Sequence, residues 1–413
     1  MDQDALKRTD PQVADLVAAE ARRRSETLDL IASENLCPRA VREAVASLLT
    51  DKYAEGYPGY RWYGGCEVVD QVEQLAIDRG KALFGCEHIN VQPHSGSQAN
   101  MAVYFAALEP GQTILSMDLA HGGHLTHGEA ANFSGRMYHI VHYGVSPETE
   151  RIDYTRLAEQ AREVRPAMIV GGASSYPRAV EVDRLADIAH DVGAHLMIDM
   201  AHFAGLVAAG VHPDPVPVAD FVTGTTHKTL RGPRGGFVLS KADWARRIDR
   251  TVFPGIQGGP LMHVIAGKAV CFGLAKTDAF RRYQERVVAN CRAMAEALAS
   301  RGCRIISGGT DTHLLVVDLR PMGLTGSQAE HLLGAAGIVA NRNVIPFDDQ
   351  PPSDPSGIRI GTPSMTTRGV DADGVRQVAG WIDRVLKAED RAAEAARVRP
   401  EVLAFCQSHP IPD

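Results

Sequence analysis

The sequence predicts an α/β protein: a large domain whose mainly parallel sheet is covered by helices, followed by a smaller α+β C-terminal domain. Three observations lead there. Between Ile89 and Lys228, short apolar runs alternate with stretches of helical periodicity, the signature of parallel strands joined by crossover helices. A glycine-rich stretch, GIQGGP, breaks the alternation just after Phe253 and Pro254. Beyond it the pattern turns into long helical periodicities with isolated strand-like runs, and a domain boundary is expected at about residue 280.

The elements follow in chain order. Val13, Leu16, Val17 and Ala21 recur at helical spacing, which predicts an amphipathic N-terminal arm (1–35) running into LDLIASEN. From Asp70 to Phe84 a second helix carries Val72, Leu75, Ala76 and Leu83 and stops at Gly85, suited to a left-handed C-cap. Within the large domain (36–280), INVQPHSGSQANMAVYFAAL reads as a short strand, a Ser/Gly turn and a helix beginning near Ser97. AMIVGGASSYP is a strand, Val182 to Val192 a helix closed by Gly193, and HLMIDMAH a strand with Asp199 at its carboxyl end. ADFVTGTTHK is a further strand entering a polar loop. A long helical stretch runs from His263 to about Leu298 and leads into the C-terminal domain (281–413). There HLLVVDL is a strand, Ser327 to Ala336 a helix, and DRAAEAARVRP a charged surface helix.

Composition narrows the function classes. At ~150 residues per domain the chain of 413 holds two to three domains and a large core. Hydrophobic residues at 45% and charged residues at 23% exclude a disordered or fibrous chain. Forty-three Lys and Arg against 50 Asp and Glu leave a net charge of −7, which offers nothing in bulk to nucleic acid or an anionic membrane. Seven scattered cysteines without a C-x-x-C pair fit reduced thiols and a cytoplasmic location. MDQDALKRTD has no apolar core of a secretory leader, and no run of about 18 apolar residues occurs, which argues against secretion and membrane spanning.

Chemistry concentrates in a few stretches. In TTHKTLRGPRGG, Lys228 lies just past a strand in a polar loop, where Arg231 and Arg234 would lower its pKa by repulsion and favour imine formation with an aldehyde. Asp199 ends the preceding apolar strand, so the two side chains point into one crevice. A buried carboxylate there suits a protonated pyridine nitrogen. Ser95, Gly96 and Ser97 open a helix and form a ready site for a phosphate. Phosphate cradle, carboxylate and lysine together describe a pyridoxal 5′-phosphate site. Arg359, between Ile358 and Ile360, suits a substrate carboxylate, the alternative being an edge arginine facing water or paired to Asp or Glu. KYAEGYPGYRWYGG sets Tyr53, Tyr57, Tyr60, Trp62 and Tyr63 around Glu55 in a loop too broken for a helix, either an interface or a pocket wall with Glu55 as acid/base. A rival reading takes His121, His124 and His127 as zinc ligands of a metal-dependent hydrolase, though the Gly-Gly pair and the lack of an H-E-x-x-H motif oppose it.

These stretches resemble serine hydroxymethyltransferase, a pyridoxal-phosphate enzyme of the aspartate-aminotransferase fold type (fold type I). LIASEN, KYAEGYPG, YGGCE, QPHSGSQAN, GGHLTHG, DMAHFAGL, THKTLRGPRGG, PGIQGGPLMH, IPFD and SGIRIGTP carry the likeness across nearly the whole chain. The resemblance implies that Lys228 carries the cofactor as an imine, Asp199 pairs with its ring nitrogen and His124 stacks on the ring. Ser95, Gly96, Ser97 and Tyr53 would hold the phosphate, with Gly259 reaching it from a partner subunit. Ser174, His202 and His227 would line the cofactor, and Ser33 and Arg359 the substrate carboxylate. Glu55 and Tyr63 of the neighbouring subunit would handle protons at the hydroxymethyl group. Leu119, Gly123, His124, Leu125 and Asn343 would meet tetrahydrofolate, the co-substrate. The activity implied is reversible conversion of L-serine and tetrahydrofolate to glycine and 5,10-methylenetetrahydrofolate, through imine and quinonoid intermediates, in a homodimer or a dimer of dimers. No metal is implied. Tyr60, Trp62, Gly224 and Ser353 depart from the family's usual lysine, tyrosine, threonine and aromatic. Trp62 and Ser353 fall near the expected folate cleft, and Trp62 and Gly224 motivate the alternative of a folate-independent relative: a threonine aldolase or transaldolase, or an α-methylserine hydroxymethyltransferase.

Overall fold

A computed structural model describes residues 3–412; the first two residues of the expected arm, and Asp413, lie outside the described residues. The large sheet has seven strands: β1 His88–Asn90, β2 Thr113–Met117, β3 His139–Tyr143, β4 Met168–Gly171, β5 His195–Asp199, β6 Phe221–Thr225 and β7 Gly236–Ser240. Their spatial order is β1-β7-β6-β5-β4-β2-β3. β7 alone runs antiparallel to its neighbours, paired with β1 and β6, and the other pairs are parallel.

Strand alternation builds a core on each face. Leu115, Ile169, Leu196, Ile198 and Val222 fill one, whereas Ile114, Met168, Val170, Met197 and Phe221 fill the other. Because successive side chains point to opposite faces, a strand buried on both sides reads as an unbroken apolar run, as LMI of β5 does. Helix α3 (Gly96–Ala107) lays Ala99, Ala102, Val103 and Ala106 on the second face. Helices α4 (Tyr154–Val164) and α5 (Val182–Val192) cover the first, with Leu157, Ala161, Leu185 and Ala189. Helix α2 (Glu67–Phe84) packs against α6 (Met262–Ala275) on the same side. Gly85 and Gly193 close α2 and α5 at φ 64° and 71°, conformations that cost a residue with Cβ about 1–2 kcal/mol.

A second core holds Leu28, Leu30 and residues from Cys291 to Cys406. Its antiparallel sheet, ordered β8-β9-β11-β10, consists of β8 Arg304–Ile305, β9 Leu314–Asp318, β10 Asn341–Asn343 and β11 Gly357–Gly361. Helices α7 (Asp278–Ala299), α8 (Gly326–Ala335), α9 (Ala372–Lys387) and α10 (Arg391–Ser408) surround it.

Three local expectations are corrected. The N-terminal helix α1 (Pro11–Glu26) stops before LDLIASEN, because Leu28–Asp29 is a two-residue strand paired in parallel with Ile338–Val339. The helical stretch after His263 is two helices, since the Thr277 hydroxyl accepts from Phe280 N–H and starts α7 afresh. The charged tail is no mere surface helix: α10 continues through Pro400 to Ser408 and buries Ala395, Val398, Val402 and Cys406.

Candidate active site

A cavity of ≈ 380 Å³ opens at the carboxyl edge of the large sheet, within the range usual for small-molecule sites. β5 ends there in Asp199, β6 runs on into His227 and Lys228, and β4 leads to Ala173 and Ser174. The first turn of α3 brings Ser95, Gly96 and Ser97, and the loop after β2 brings His124. Arg359 reaches in from β11 of the second sheet, and Ser33 with Glu34 from the segment after Leu28–Asp29. The cavity therefore lies between the two cores.

Asp199 is held as a buried anion. Burial raises its pKa, but the hydrogen bond from His127, the nearness of His124 and the amide of Asn100 outweigh that and keep the carboxyl well below the usual carboxylate range. Asn100 Nδ2 donates to Asp199 Oδ2 (2.8 Å), while Asn100 Oδ1 accepts from Thr223 Oγ1 (2.6 Å). His127 Nδ1 accepts from the His124 N–H (3.2 Å), so its Nε2–H is the donor facing Asp199 Oδ2 at 3.2 Å. Asp199 Oδ1 accepts from Ala201 N–H, which leaves a carboxylate fixed in orientation. His124 is a neutral ring: burial pushes its pKa down to about 4, and its Nδ1 accepts from Thr126 N–H.

Lys228 has a pKa lowered to about 8, first by burial and then by Arg359 and Arg234, against the pull of Asp199. This corrects the pairing of Arg231 with Arg234. Arg231 turns away, donates to Leu36 O (3.4 Å) and stacks on Tyr283. The carbonyl of Lys228 accepts from Asn35 Nδ2 (3.0 Å), which ties LIASEN to the lysine loop. His202 and His313 stack as a buried pair, Nδ1 to Nε2 3.3 Å, and burial drives both toward the neutral form. Among the described residues the buried His227 Nδ1 has no hydrogen-bond partner.

Arg359 is no edge arginine facing water. Its Nη1 donates to Ser174 O (2.7 Å) and its Nε to Asn341 Oδ1 (3.2 Å), and among the described residues no carboxylate lies within ion-pair distance. Burial lowers its pKa to about 10, as befits a guanidinium lacking a counter-ion. Such a group favours an incoming carboxylate. The α3 N-terminus, which lines the same cavity, offers N–H groups without an intrahelical partner and the exposed Ser97, Ser95 Oγ being used as the N-cap to Gln98 N–H. An anion site, an ionised carboxylate and an amine of depressed pKa in one cavity are the donor set that a phosphorylated pyridine aldehyde requires. The residues present fit pyridoxal 5′-phosphate.

Other expected residues stand outside this cavity. Tyr53, Glu55, Tyr63 and Gly259 form their own group: the Tyr53 and Tyr63 rings lie 4.9 Å apart, and Gly258 and Gly259 approach Glu55 and Tyr53 closely. Tyr53 is 54% exposed and its pKa is raised, chiefly by the charge of Glu55. Tyr60 and Trp62 beside them are 85% and 77% exposed. Leu119 and Leu125 flank Gly123 and His124 as exposed apolar residues, and the Asn343 side chain donates to Val344 O. The three loop histidines do not converge, because His121 packs on Phe347 and accepts from Val145 N–H. Asp199 takes the third place beside His124 and His127, within 4.8 Å.

Asn100, Thr126, Thr223, His127, His313, Asn341 and Arg234 complete the site; of these the sequence pointed to Arg234, and to His127 only as a zinc ligand in the rival reading. Asn100 had a signal: four residues after Gly96 on a helix, it shares the face that opens on the cavity. Gly224 is explained by its neighbour, since a Cβ there would lie 2.4 Å from the Phe237 ring, which fills the space.

Comparison with known proteins identifies the family. A model of the serine hydroxymethyltransferase family matches residues 6–382. A curated serine hydroxymethyltransferase from Koribacter versatilis (strain Ellin345) is 56% identical over 407 residues, spanning 98% of this chain and 96% of that protein. With the site geometry and this likeness together, the chain belongs to the serine hydroxymethyltransferase family.

Proposed function

We propose that the protein moves the hydroxymethyl group of L-serine to tetrahydrofolate, leaving glycine and 5,10-methylenetetrahydrofolate, and that its residues act as follows. The observation that carries this reading is the convergence of Lys228, Asp199, the first turn of α3 and Arg359 on one cavity. Bound there, pyridoxal 5′-phosphate supplies an electron-accepting ring that drains charge from the substrate's Cα. Asp199, fixed by Asn100 and His127, holds a proton on the ring nitrogen. Lys228 anchors the cofactor through Nζ, and the neutral His124 covers the ring without adding charge. Ser97 and the N–H groups of α3 hold the phosphate, with Ser95 and Gly96 shaping the turn and Ser174, His202 and His227 closing the sides. Arg359 and Ser33 grip the serine carboxylate and so orient the bond between Cα and the hydroxymethyl carbon.

Tyr53, Glu55, Tyr63 and Gly259 serve the cavity of a second copy of the chain. Their grouping on an exposed aromatic surface supports a homodimer with shared sites, and so does α1, which buries none of its apolar residues within one chain. Glu55 takes the proton from the serine hydroxyl, and Tyr63 stands beside it. Leu119 and Leu125, with Gly123 and Asn343, provide the rim for the folate ring. The two cores divide within α7, whose Phe280, Tyr283, Val287 and Val288 lie in the first and whose Cys291, Met294 and Leu298 lie in the second, which supports a division of the chain about ten residues past the expected 280. No helix among the described residues is long and apolar enough to cross a membrane.

The test is product analysis with purified, cofactor-loaded protein. Glycine and methylenetetrahydrofolate from L-serine are expected only when tetrahydrofolate is added. Glycine released at the same rate without folate would overturn the proposal.

A further inference from the structure

Lys268 sits in the middle of α6, only 1% exposed, in a helix otherwise apolar on its buried side. Its Nζ donates to three backbone carbonyls: Val91 O at 2.6 Å, Pro93 O at 3.0 Å and Gly236 O at 2.8 Å. An ammonium has three donors, and all three are spent. Among the described residues no carboxylate lies within ion-pair distance of it; Glu73, whose charge it feels, is bonded instead to Arg61 and Gln92.

The three carbonyls mark a fork in the sheet. β1 and β7 pair from His88↔Ser240 to Asn90↔Val238, and there the ladder ends. Past that point the β1 strand runs on through Val91, Gln92 and Pro93 to Ser95, the N-cap of α3, and Lys268 ties the carbonyls of Val91 and Pro93 to that of Gly236. The backbone bond from Gly236 N–H to Pro93 O (3.0 Å) is the only other tie across the fork among the described backbone bonds. Packing leaves no slack: a Cβ on Gly235 would meet Lys268 Cε at 2.5 Å, and one on Gly236 would meet Ser95 O at 2.2 Å.

We infer that Lys268 is a positioning residue for the phosphate cradle: it pins the turn that aims the first N–H groups of α3, and its charge favours a phosphate bound there. This rests on the assignment of that turn to the cofactor's phosphate. A buried cation without a carboxylate partner is expensive, and a phosphate dianion in the adjoining cradle is the counter-charge it lacks. Its charge is felt on the cavity side, where it contributes to holding the His94 and His227 rings neutral. Burial also lowers its own pKa, to about 7, as expected of an ammonium whose compensation comes from carbonyl dipoles alone.

The test separates phosphate binding from general integrity by comparing pyridoxal 5′-phosphate with pyridoxal, which lacks the phosphate. Dissociation constants of both for the apoprotein are measured by absorbance titration, with thermal unfolding as a check on folding. For Lys268→Met, pyridoxal 5′-phosphate is expected to weaken about 10- to 100-fold, the usual worth of charged hydrogen bonds, with pyridoxal affected less than about threefold. Equal affinities to the parent, or equal weakening of both compounds, would overturn the inference. Ser97→Ala is the control for the cradle. If it weakens the phosphate ester selectively while Lys268→Met does not, the cradle stands and the role of Lys268 falls; if it has no selective effect, the cradle assignment fails and this inference with it. Should Lys268→Met not fold, Gly235→Ala, which crowds Lys268 Cε but keeps the charge, decides by the same ratio: selective weakening supports the inference, an unchanged ratio overturns it.

Discussion

Lys228 shows how a single side chain takes its chemistry from its surroundings. An exposed lysine titrates near 10.4 and is almost wholly protonated at neutral pH, whereas Lys228 is lowered to about 8. Its uncharged amine is the nucleophile, so the rate at which the apoprotein captures pyridoxal 5′-phosphate should rise with pH and level off above about pH 8. The two charges beside it act with opposite sign. Arg359 disfavours the ammonium, so Arg359→Met should move that midpoint upward; Asp199 favours it, so Asp199→Asn should move it downward. Stopped-flow capture rates across pH 6–10 measure both, and shifts in the same direction would refute the assignment. Arg359→Met should also raise the KM for serine about 10- to 100-fold, the loss of a charged bidentate contact.

At the scale of elements, β6 and β7 show what a departure from the family pattern costs and how it is compensated. Gly224 on β6 faces Phe237 on β7, and that ring stacks on Phe84 and meets Phe272 edge-on. Gly224→Thr should therefore destabilise the protein by about 1–3 kcal/mol through overpacking, although threonine suits a strand. Adding Phe237→Val should recover most of that loss, and urea unfolding of the three variants measures the coupling. Two independent, additive losses would show that Phe237 is not what excludes the side chain.

The same elements show what was legible in the sequence. β5, β6, α3 and α5 were read from it closely, because unbroken apolar runs, a Ser/Gly turn and a glycine C-cap are local signals. Strands β2, β3 and β7 and helix α4 went unread: β3, HIVHY, is an edge strand with polar ends, and its partner is set by a crossover rather than by its own pattern. Lys228, Asp199 and the α3 turn were legible as site residues because each sits at a strand or helix end. His313 and Asn341 were not, and His127 was legible only as a candidate zinc ligand, since what gives these residues their place in the site is a contact made through the fold. Arg231 and Arg234 look equivalent in TTHKTLRGPRGG, and only the turn of the loop, with Arg231 at φ 60°, separates their directions.

Over the whole molecule, helix α1 and the last helix, α10, are joined at one buried guanidinium. Arg368 donates to Arg24, Ser25 and Thr27 carbonyls at the end of α1 and to Cys406 and His409 carbonyls at the end of α10. A cation there meets the negative ends of two helices at once. Arg368→Met should cost about 2–4 kcal/mol and loosen the arm that carries Ser33, raising the KM for serine more than it lowers kcat; urea unfolding and steady-state kinetics measure the two effects. The largest-scale question is whether one chain suffices for catalysis. Lys228 lines the cavity of its own chain, and the half-buried Glu55 stands outside it beside the exposed Tyr53. If Glu55 serves a second copy, Lys228→Ala and Glu55→Gln homodimers each lack one half of every site. In a mixed dimer both lesions fall on one site and the other is intact. Random re-association of the two inactive variants should then restore roughly a quarter of the parent activity, because half the dimers are mixed and each has one good site. Activity that stays at the level of the separate variants, in mixtures shown by native mass spectrometry to have exchanged subunits, would place Glu55 and Lys228 in the same chain's site.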